Sequence, residues 1–221
     1  MRYNHPVRGR VSVIALAIAA AAGGGCTALA LLVQHGRFAR FEQHSVSHWM
    51  PWIEPPVRRS TIDHILGVET RKTTGGTLVS LFTYPASIGI SAAIVLLCAA
   101  LLWRRGRKRA GIGLLLLWIS ANAVALIGKH EVTRPRLHQT SFGHHGYLPG
   151  LSHSFPSGHA LRAVVTAAAL ASVSKFGRLA YVWAVGVPFA LVAIGAHTPT
   201  DVVGGVLAGI ALSAIWVATQ A

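Results

Sequence analysis

Residues 110–128 read AGIGLLLLWISANAVALIG, a run of apolar and small residues without a charged side chain. A bilayer core of about 30 Å is crossed by about 20 residues of α-helix, so this stretch has the length of a membrane-spanning helix. Basic residues border it on both sides, because RRGRKR at 104–109 precedes it and Lys129 follows it. The stretch therefore predicts a membrane helix that begins at a strongly basic loop.

Five further stretches of the chain have a similar apolar composition. Hydrophobic residues make up 52% of the sequence and charged residues 12%, about half the charged share of a soluble domain. The stretches also lack the charged face that a helix of a soluble bundle turns to water. We therefore expect an all-α, polytopic membrane protein, a bundle of six transmembrane helices in one integral-membrane domain over residues 1–221. The five other stretches are 11–33, 77–103, 159–174, 179–196 and 202–218.

The net charge of +14 has a topological explanation. Ten of the 20 basic residues lie before the first helix, in the 104–109 loop, and in the loop of Lys175 and Arg178. Six spans place these segments and the C-terminus on one side, which the positive-inside rule assigns to the cytoplasm. We expect a multi-pass protein of the plasma (cell inner) membrane with cytoplasmic termini. These residues form no basic stripe with interleaved aromatics, so a nucleic-acid partner is not expected.

The outward segment 34–76 contains one helical pattern. Val46, Trp49, Met50 and Ile53 recur at helical spacing. Because tryptophan favours the boundary between membrane and water, the pattern predicts an interfacial helix. A lid over an active site is the alternative hypothesis for this segment.

Three polar clusters fall at helix ends that the predicted topology places on the outer face. They are KHEVTRPR at 129–136, FPSGH at 155–159 and HTPTD at 197–201. Eleven of the 12 histidines also lie in outward segments or, in the case of His159, at the outer start of an apolar stretch, and after residue 70 the acids are Glu131 and Asp201 alone. A surface with cations and imidazoles but few carboxylates suits an anionic substrate.

The ordered trio resembles the type 2 phosphatidic acid phosphatase (PAP2) family, in its membrane lipid phosphatase branch. That family shares a core with vanadium haloperoxidases, and the resemblance covers residues 77–218. Its motifs are Lys, six residues, Arg-Pro; then Pro-Ser-Gly-His; then Ser-Arg, five residues, His, three residues, Asp. The matching residues are Lys129 and Arg136 in the first motif, Pro156, Ser157, Gly158 and His159 in the second, and His197 and Asp201 in the third.

The resemblance implies metal-independent hydrolysis through a phosphohistidine, without a cofactor. His197 would attack phosphorus while Asp201 fixes its tautomer, and His159 would protonate the departing alcohol. The other matching residues would bind the phosphate: Lys129 and Arg136 by charge, Ser157 and Gly158 through a hydroxyl and backbone amides.

A structural explanation of the third cluster is also available. Thr198 at the N-cap, Pro199 at the first helical position and Asp201 three residues past the cap form a helix-capping pattern. The two explanations are compatible, because a capping aspartate can still face His197.

The sequence departs from the family pattern at two places. Leu137 stands where proline is usual, and the Ser-Arg pair is replaced by Ala190 and Leu191. The missing arginine would bind phosphate, so another cation has to replace it or activity is weak. Arg162 is the first candidate, because it lies one turn beyond His159 and a charge within a membrane helix is costly; snorkelling to the interface is the alternative. Arg134 is the second candidate.

The loop histidines do not predict a metal site. His138, His144, His145 and His153 lack the paired helical spacing of a catalytic zinc site, so we expect solvated loop residues.

We predict a phosphatase that hydrolyses a lipid phosphate or pyrophosphate, of the phosphatidic acid, phosphatidylglycerophosphate or polyprenyl pyrophosphate type, at the outer membrane face. Its partners are that substrate and membrane lipids, and the oligomeric state is left open. The alternatives are a catalytically silent relative that binds anionic lipid and a lipid phosphotransferase. A transporter is disfavoured, since the charges cluster at one face and not at the midplane.

Overall fold

The computed structural model describes residues 5–50, 74–140 and 146–220. The predicted position Ile53 and the histidines at 144 and 145 lie outside these residues. The described chain is almost entirely helical, which confirms the predicted all-α class. Its helices are α1 (His5–Gln34), α2 (Ala39–His48), α3 (Thr74–Thr83), α4 (Ile88–Arg104), α5 (Lys108–Glu131), α6 (Gly158–Val173), α7 (Ala180–Ala193) and α8 (Pro199–Ala218).

Short elements connect several of these helices. Single 3₁₀ turns occupy Tyr84–Ala86, Pro149–Leu151 and Phe176–Leu179. Between α5 and α6, a two-stranded antiparallel ribbon pairs β1 (His138–Gln139) with β2 (Gly146–Tyr147). This small ribbon is the sheet structure of the described residues, and it lies at the end of the bundle that carries the polar clusters.

Within the described residues, five helical segments are long and apolar enough to cross a membrane, which supports a multi-pass membrane protein. The fourth predicted stretch instead forms α6, a helix of 16 residues, or about 24 Å at 1.5 Å per residue. That length is below the bilayer core, so the count of six spans stays a prediction. The five segments are Gly9–Gln34, Gly75–Arg104, Lys108–Glu131, Phe176–Ala193 and Pro199–Ala218.

Helix α6 forms the centre of the bundle. It packs against α4, α5, α7 and α8, and none of its residues is exposed. The surrounding helices turn large apolar side chains outward, among them Leu126 and Phe189, at 71% and 74% exposure. An apolar exterior around a closely packed centre is the arrangement expected of a protein in lipid.

Glycines allow α6 and α8 to approach closely. A Cβ on Gly205 would lie 2.4 Å from the Ser157 carbonyl oxygen, and one on Gly209 would lie 2.8 Å from Val164 Cβ. The two glycines are four residues apart, the spacing of small residues at membrane helix interfaces. Because Ser157 precedes the first residue of α6, this contact sets the position of the second polar cluster.

The basic loops and the polar clusters lie at opposite ends of the bundle. Arg105 Nη1 donates to the Val173 carbonyl at 2.6 Å, and Ser12 Oγ donates to the Ala218 carbonyl at 3.3 Å. At the other end, the Ser157 backbone N–H donates to the Asp201 carbonyl at 2.9 Å. The basic segments are thus grouped at one end and the polar clusters at the other, and which end faces the cytoplasm stays a prediction.

We expect Gly205→Ala to lower the free energy of unfolding by about 1–3 kcal/mol, because the added methyl group overlaps a backbone oxygen. Thermal unfolding in detergent, followed by circular dichroism, measures the loss. Gly24→Ala in α1 is the matched control, since nothing lies within 4 Å of its Cβ position. An unchanged midpoint for Gly205→Ala would contradict the close α6–α8 contact.

Candidate active site

The polar clusters meet at a pocket of about 200 Å³. Each cluster contributes a residue that sequence comparison with the PAP2 pattern predicts: Lys129 from the end of α5, His159 from the first turn of α6, and His197 from the loop before α8. The structure therefore brings these three residues together. The remaining lining residues are Ser80, Thr83, Tyr84, Gly150, His153, Ser154, Leu191, Ile194 and Ala196.

The pocket is suited to an anion. Its lining holds one lysine, three histidines and four hydroxyl groups, and no carboxylate among the described residues. Lys129 is exposed, so the pocket opens to solvent. Cationic and hydrogen-bonding groups around a small cavity are the features that bind phosphate.

Asp201 holds the start of α8 and faces His197 at the same time. Its Oδ2 accepts from the Thr198 backbone N–H at 3.0 Å, while Thr198 Oγ1 accepts from the Asp201 N–H, which completes a capping box. The same Oδ2 lies 3.4 Å from His197 Nδ1 and accepts from Ser154 Oγ at 2.6 Å. The capping pattern is thus present, and it leaves Asp201 facing His197, the arrangement that the catalytic explanation requires.

Ser157 and Gly158 shape the start of α6 without lining the pocket. Ser157 is fully buried, and its Oγ caps the helix by accepting from the Ala160 N–H at 3.3 Å. A Cβ on Gly158 would lie 3.0 Å from Arg162 Nη1. The two residues position His159, the next residue of the chain, at the pocket wall.

Arg136 lies away from the pocket. Its side chain is exposed, and its guanidinium carbon is 5.4 Å from the centre of the Tyr147 ring. It lines a separate shallow groove with Arg40 and His44 on α2. The structure therefore does not bring this predicted phosphate ligand to His197 and His159.

Arg134 is paired with two carboxylates. Its Nη1 donates to Glu42 Oε1 at 2.7 Å and to Thr198 Oγ1, and its Nη2 donates to Asp201 Oδ1. The side chain is 1% exposed. The guanidinium thus sits behind the His197–Asp201 pair, and Arg134 does not line the pocket.

Arg162 is buried beside the pocket. Its Nε donates to the Ala86 carbonyl at 2.7 Å and its Nη1 to Asn122 Oδ1 at 3.1 Å, and within the described chain it pairs with no carboxylate. Leu191, at the family's arginine position, is itself a lining residue. Ala86, which accepts from Arg162, belongs to the same apolar cluster as Leu191, whereas Arg162 itself does not line the pocket.

The sequence pattern did not predict Glu42. This residue is on α2 and is 1% exposed. Burial raises the pKa of its carboxyl group, and the Arg134 charge and the hydroxyls of Thr200 and Thr198 offset part of that rise. Its nearest partners are more than 90 residues away in sequence. No local spacing signals such a contact, and the scarcity of acids in the chain is the one available clue.

Helix α2 covers the segment between α5 and α6. The helix ends at His48, so Val46 of the predicted helical pattern lies on α2, whereas Trp49 and Met50 follow it. Val46 and Met50 are buried against Leu137 and Leu151. Trp49 is 45% exposed. The polar side of α2 thereby reaches the site, while the interfacial and lid hypotheses both stay open.

The loop histidines occupy different surroundings. His153 lines the pocket, whereas the ring of His138 lies 5.8 Å from that of Tyr147. In residues 5–50, 74–140 and 146–220, no three His, Cys, Asp or Glu side chains are grouped to hold a metal ion.

Comparison with known proteins identifies the family. No curated protein sequence matches the chain. The fold is similar to that of a crystal structure of a transmembrane PAP2 type phosphatidylglycerolphosphate phosphatase from Bacillus subtilis, with a TM-score of 0.63 and 18% identity over 91% of this chain and 94% of that one. The model of the PAP2 superfamily matches residues 110–221, just over half of the sequence. The chain therefore belongs to the PAP2 superfamily.

Proposed function

We propose that this protein is a membrane phosphatase that hydrolyses a lipid phosphate or pyrophosphate, of the phosphatidic acid, phosphatidylglycerophosphate or polyprenyl pyrophosphate type. The observation that carries the proposal is the convergence of Lys129, His159 and His197 on one pocket that no described carboxylate lines. Membership of the PAP2 superfamily supports phosphoryl chemistry at this pocket.

His197 is the nucleophile of the proposed reaction. Because its Nδ1 faces Asp201 Oδ2, that nitrogen holds the proton and Nε2 keeps the lone pair for attack on phosphorus. As the N–P bond forms, the P–O bond to the lipid alcohol breaks and His159 donates a proton to the departing oxygen. Asp201 stabilises the positive ring that results.

Water completes the reaction. His159, now neutral, takes a proton from a water molecule whose oxygen attacks phosphorus, and the N–P bond breaks with its electron pair returning to His197. Inorganic phosphate then leaves, and both histidines are back in their starting forms. The balance requires no metal ion and no redox partner.

The surroundings of the pocket support a lipid substrate. An apolar groove of about 440 Å³ runs between α3 and α7. Residues of the groove are direct sequence neighbours of pocket residues: Phe82 in the groove precedes Thr83 in the pocket, and Ala190 in the groove precedes Leu191 in the pocket. A lipid phosphate whose hydrocarbon chain lies in this groove, at the lipid-facing side of the bundle, would have its phosphate group at the histidines.

Arg162 supplies the charge that Leu191 lacks. We assign it a role beside Lys129 in neutralising the phosphate, because its described partners, a carbonyl and an amide oxygen, leave its positive charge unbalanced. The silent-relative alternative takes its support from the same region, where Leu191 lines the pocket and Arg136 lies elsewhere. Transfer of the phosphoryl group to an acceptor other than water is the second alternative.

The first test is phosphate release from a panel of lipid phosphates by purified protein in detergent with EDTA. We expect release from wild type and a loss of about 10⁴-fold or more in His197→Ala, which removes the nucleophile. His138→Ala, which changes a histidine that lies against Tyr147 and does not line the pocket, is the control and should retain turnover. A wild type that is silent with every substrate, or an active His197→Ala, would count against the proposal.

His159→Ala tests the general acid. The loss should be about 10²–10⁴-fold with a lipid alcohol as leaving group and much smaller with p-nitrophenyl phosphate, whose leaving group departs without protonation. Equal losses with both substrates would assign His159 a different role.

We expect Arg162→Ala to lose turnover by about 10²-fold or more, since it removes a charge that stabilises the transition state. Asn122→Ala, which removes a hydrogen-bond partner of Arg162 without changing charge, should lose less. Leu191→Arg added to Arg162→Ala restores part of the activity if the site needs one cation there. Near-normal turnover of Arg162→Ala would overturn its assignment.

We further propose that the pocket opens on the outer face of the plasma membrane. In intact cells, a membrane-impermeant maleimide should label a cysteine at Thr140 and not one at Arg107, in a background without Cys26 and Cys98. Both positions are exposed in the structure. The opposite labelling pattern would place the chemistry in the cytoplasm.

A further inference from the structure

Glu42 is a buried acid outside the predicted machinery. Its Oε1 accepts from Arg134 Nη1 at 2.7 Å and from Thr198 Oγ1 at 3.2 Å, and also from Thr200 Oγ1. The side chain is 1% exposed. Burial of an ionised carboxylate is costly unless partners offset it, so this arrangement requires an explanation.

Arg134 connects Glu42 to the reacting pair. Its two terminal nitrogens divide between the carboxylates, with Nη1 on Glu42 and Nη2 on Asp201. Asp201 uses its other oxygen, Oδ2, toward His197. The contacts therefore run in one line, from Glu42 through Arg134 and Asp201 to the ring of His197.

The formal charges along this line have a consequence for His197. Arg134 by itself would neutralise Asp201 and leave little negative charge to favour a positive imidazole ring. Glu42 adds a second carboxylate, so the three groups together carry one net negative charge. Such a charge in a buried site stabilises the positive ring that forms when His197 bonds to phosphorus.

We propose that Glu42 is a positioning residue that balances Arg134, so that Asp201 keeps its charge and orientation for His197. The proposal rests on the phosphohistidine chemistry proposed above. It assigns α2, which lies outside the three motifs, a part in the activity of the site. Glu42 does not line the pocket, so it acts without touching the substrate.

The groups around this line come from several elements. Arg134 faces Glu42 from the segment after α5, and Thr198 and Thr200 face it from the start of α8. Across the pocket, Lys129, His153 and His159 face His197. These groups are present in wild type and in a Glu42 variant alike, so the ratio of the two enzymes' activities reports the change made at Glu42.

Glu42→Gln is the central variant, because it removes the charge and retains an oxygen acceptor of the same size. We expect kcat to fall about tenfold or more, as loss of one nearby buried charge is worth at least a factor of ten in rate. KM should stay within about twofold, because the pocket itself is unchanged. Glu131→Gln is the matched control, since Glu131 pairs with His130 at an exposed site.

The pH dependence distinguishes charge balance from packing. Because burial raises the pKa of Glu42, the wild-type carboxylate should take up a proton at a pH above about 4.3, the ordinary pKa of a glutamate side chain. Below that pH the wild type also lacks the charge, so the ratio of wild-type to Glu42→Gln kcat should fall toward one. A packing role predicts a constant ratio.

The double variant Glu42→Gln/Arg134→Gln keeps the proposal testable if the single variant does not fold. Removing both charges also removes the guanidinium that would neutralise Asp201, and so leaves one net negative charge beside His197. The kcat of the double variant should therefore exceed that of Glu42→Gln. If Glu42→Gln does not fold, the kcat of the double variant should exceed that of His197→Ala by about 100-fold. A Glu42→Gln enzyme equal to wild type, or a double variant as inactive as His197→Ala, overturns the proposal. An inactive wild type or an active His197→Ala instead overturns the phosphohistidine chemistry, so the two failures are distinguishable.

Discussion

One buried carboxylate, that of Asp201, joins the parts of the structure on which the site depends. Its side chain begins α8 through a capping box, accepts from Ser154 and faces His197, while its backbone carbonyl accepts from the N–H of Ser157 at the start of α6. Two helices and a loop are therefore positioned by a single residue. Since Asp201 is fully buried, these bonds compete little with water, and the relative placement of His159 and His197 follows from them.

Long apolar runs and helix-end motifs predicted the membrane helices and the convergence of Lys129, His159 and His197. Both signals are local in sequence. In a bundle of membrane helices, the order of the helices along the chain determines which helix ends lie on the same face. The partners of Arg134 and Arg136 were not predictable in this way. The two arginines are two residues apart in an irregular segment, yet one is buried between carboxylates and the other lies exposed against Tyr147. Sequence spacing does not predict which side chains share a face where no regular helix or strand sets the side-chain direction.

Glu42 illustrates a second limit of sequence patterns. Of the predicted helical pattern, Val46 lies on α2, while Trp49 and Met50 follow its last residue, His48. The acid Glu42 on the same helix meets Arg134 only through tertiary packing. At Leu191 the chain lacks an arginine of the family pattern, and the surrounding segments bring Arg162 and Arg134 close to the site by other routes.

The enclosure of α6 separates the depth of the site from the thickness of the surrounding bilayer. A helix exposed to lipid adjusts to hydrophobic mismatch by tilting or by deforming the membrane around it. Helix α6 has no exposed residue, so its 16-residue length is matched to its neighbouring helices and not to the lipid. Changes in lipid chain length then act on the outer helices, while His159 stays in register with His197. The relative positions of the two histidines are therefore expected to be the same in membranes of different composition.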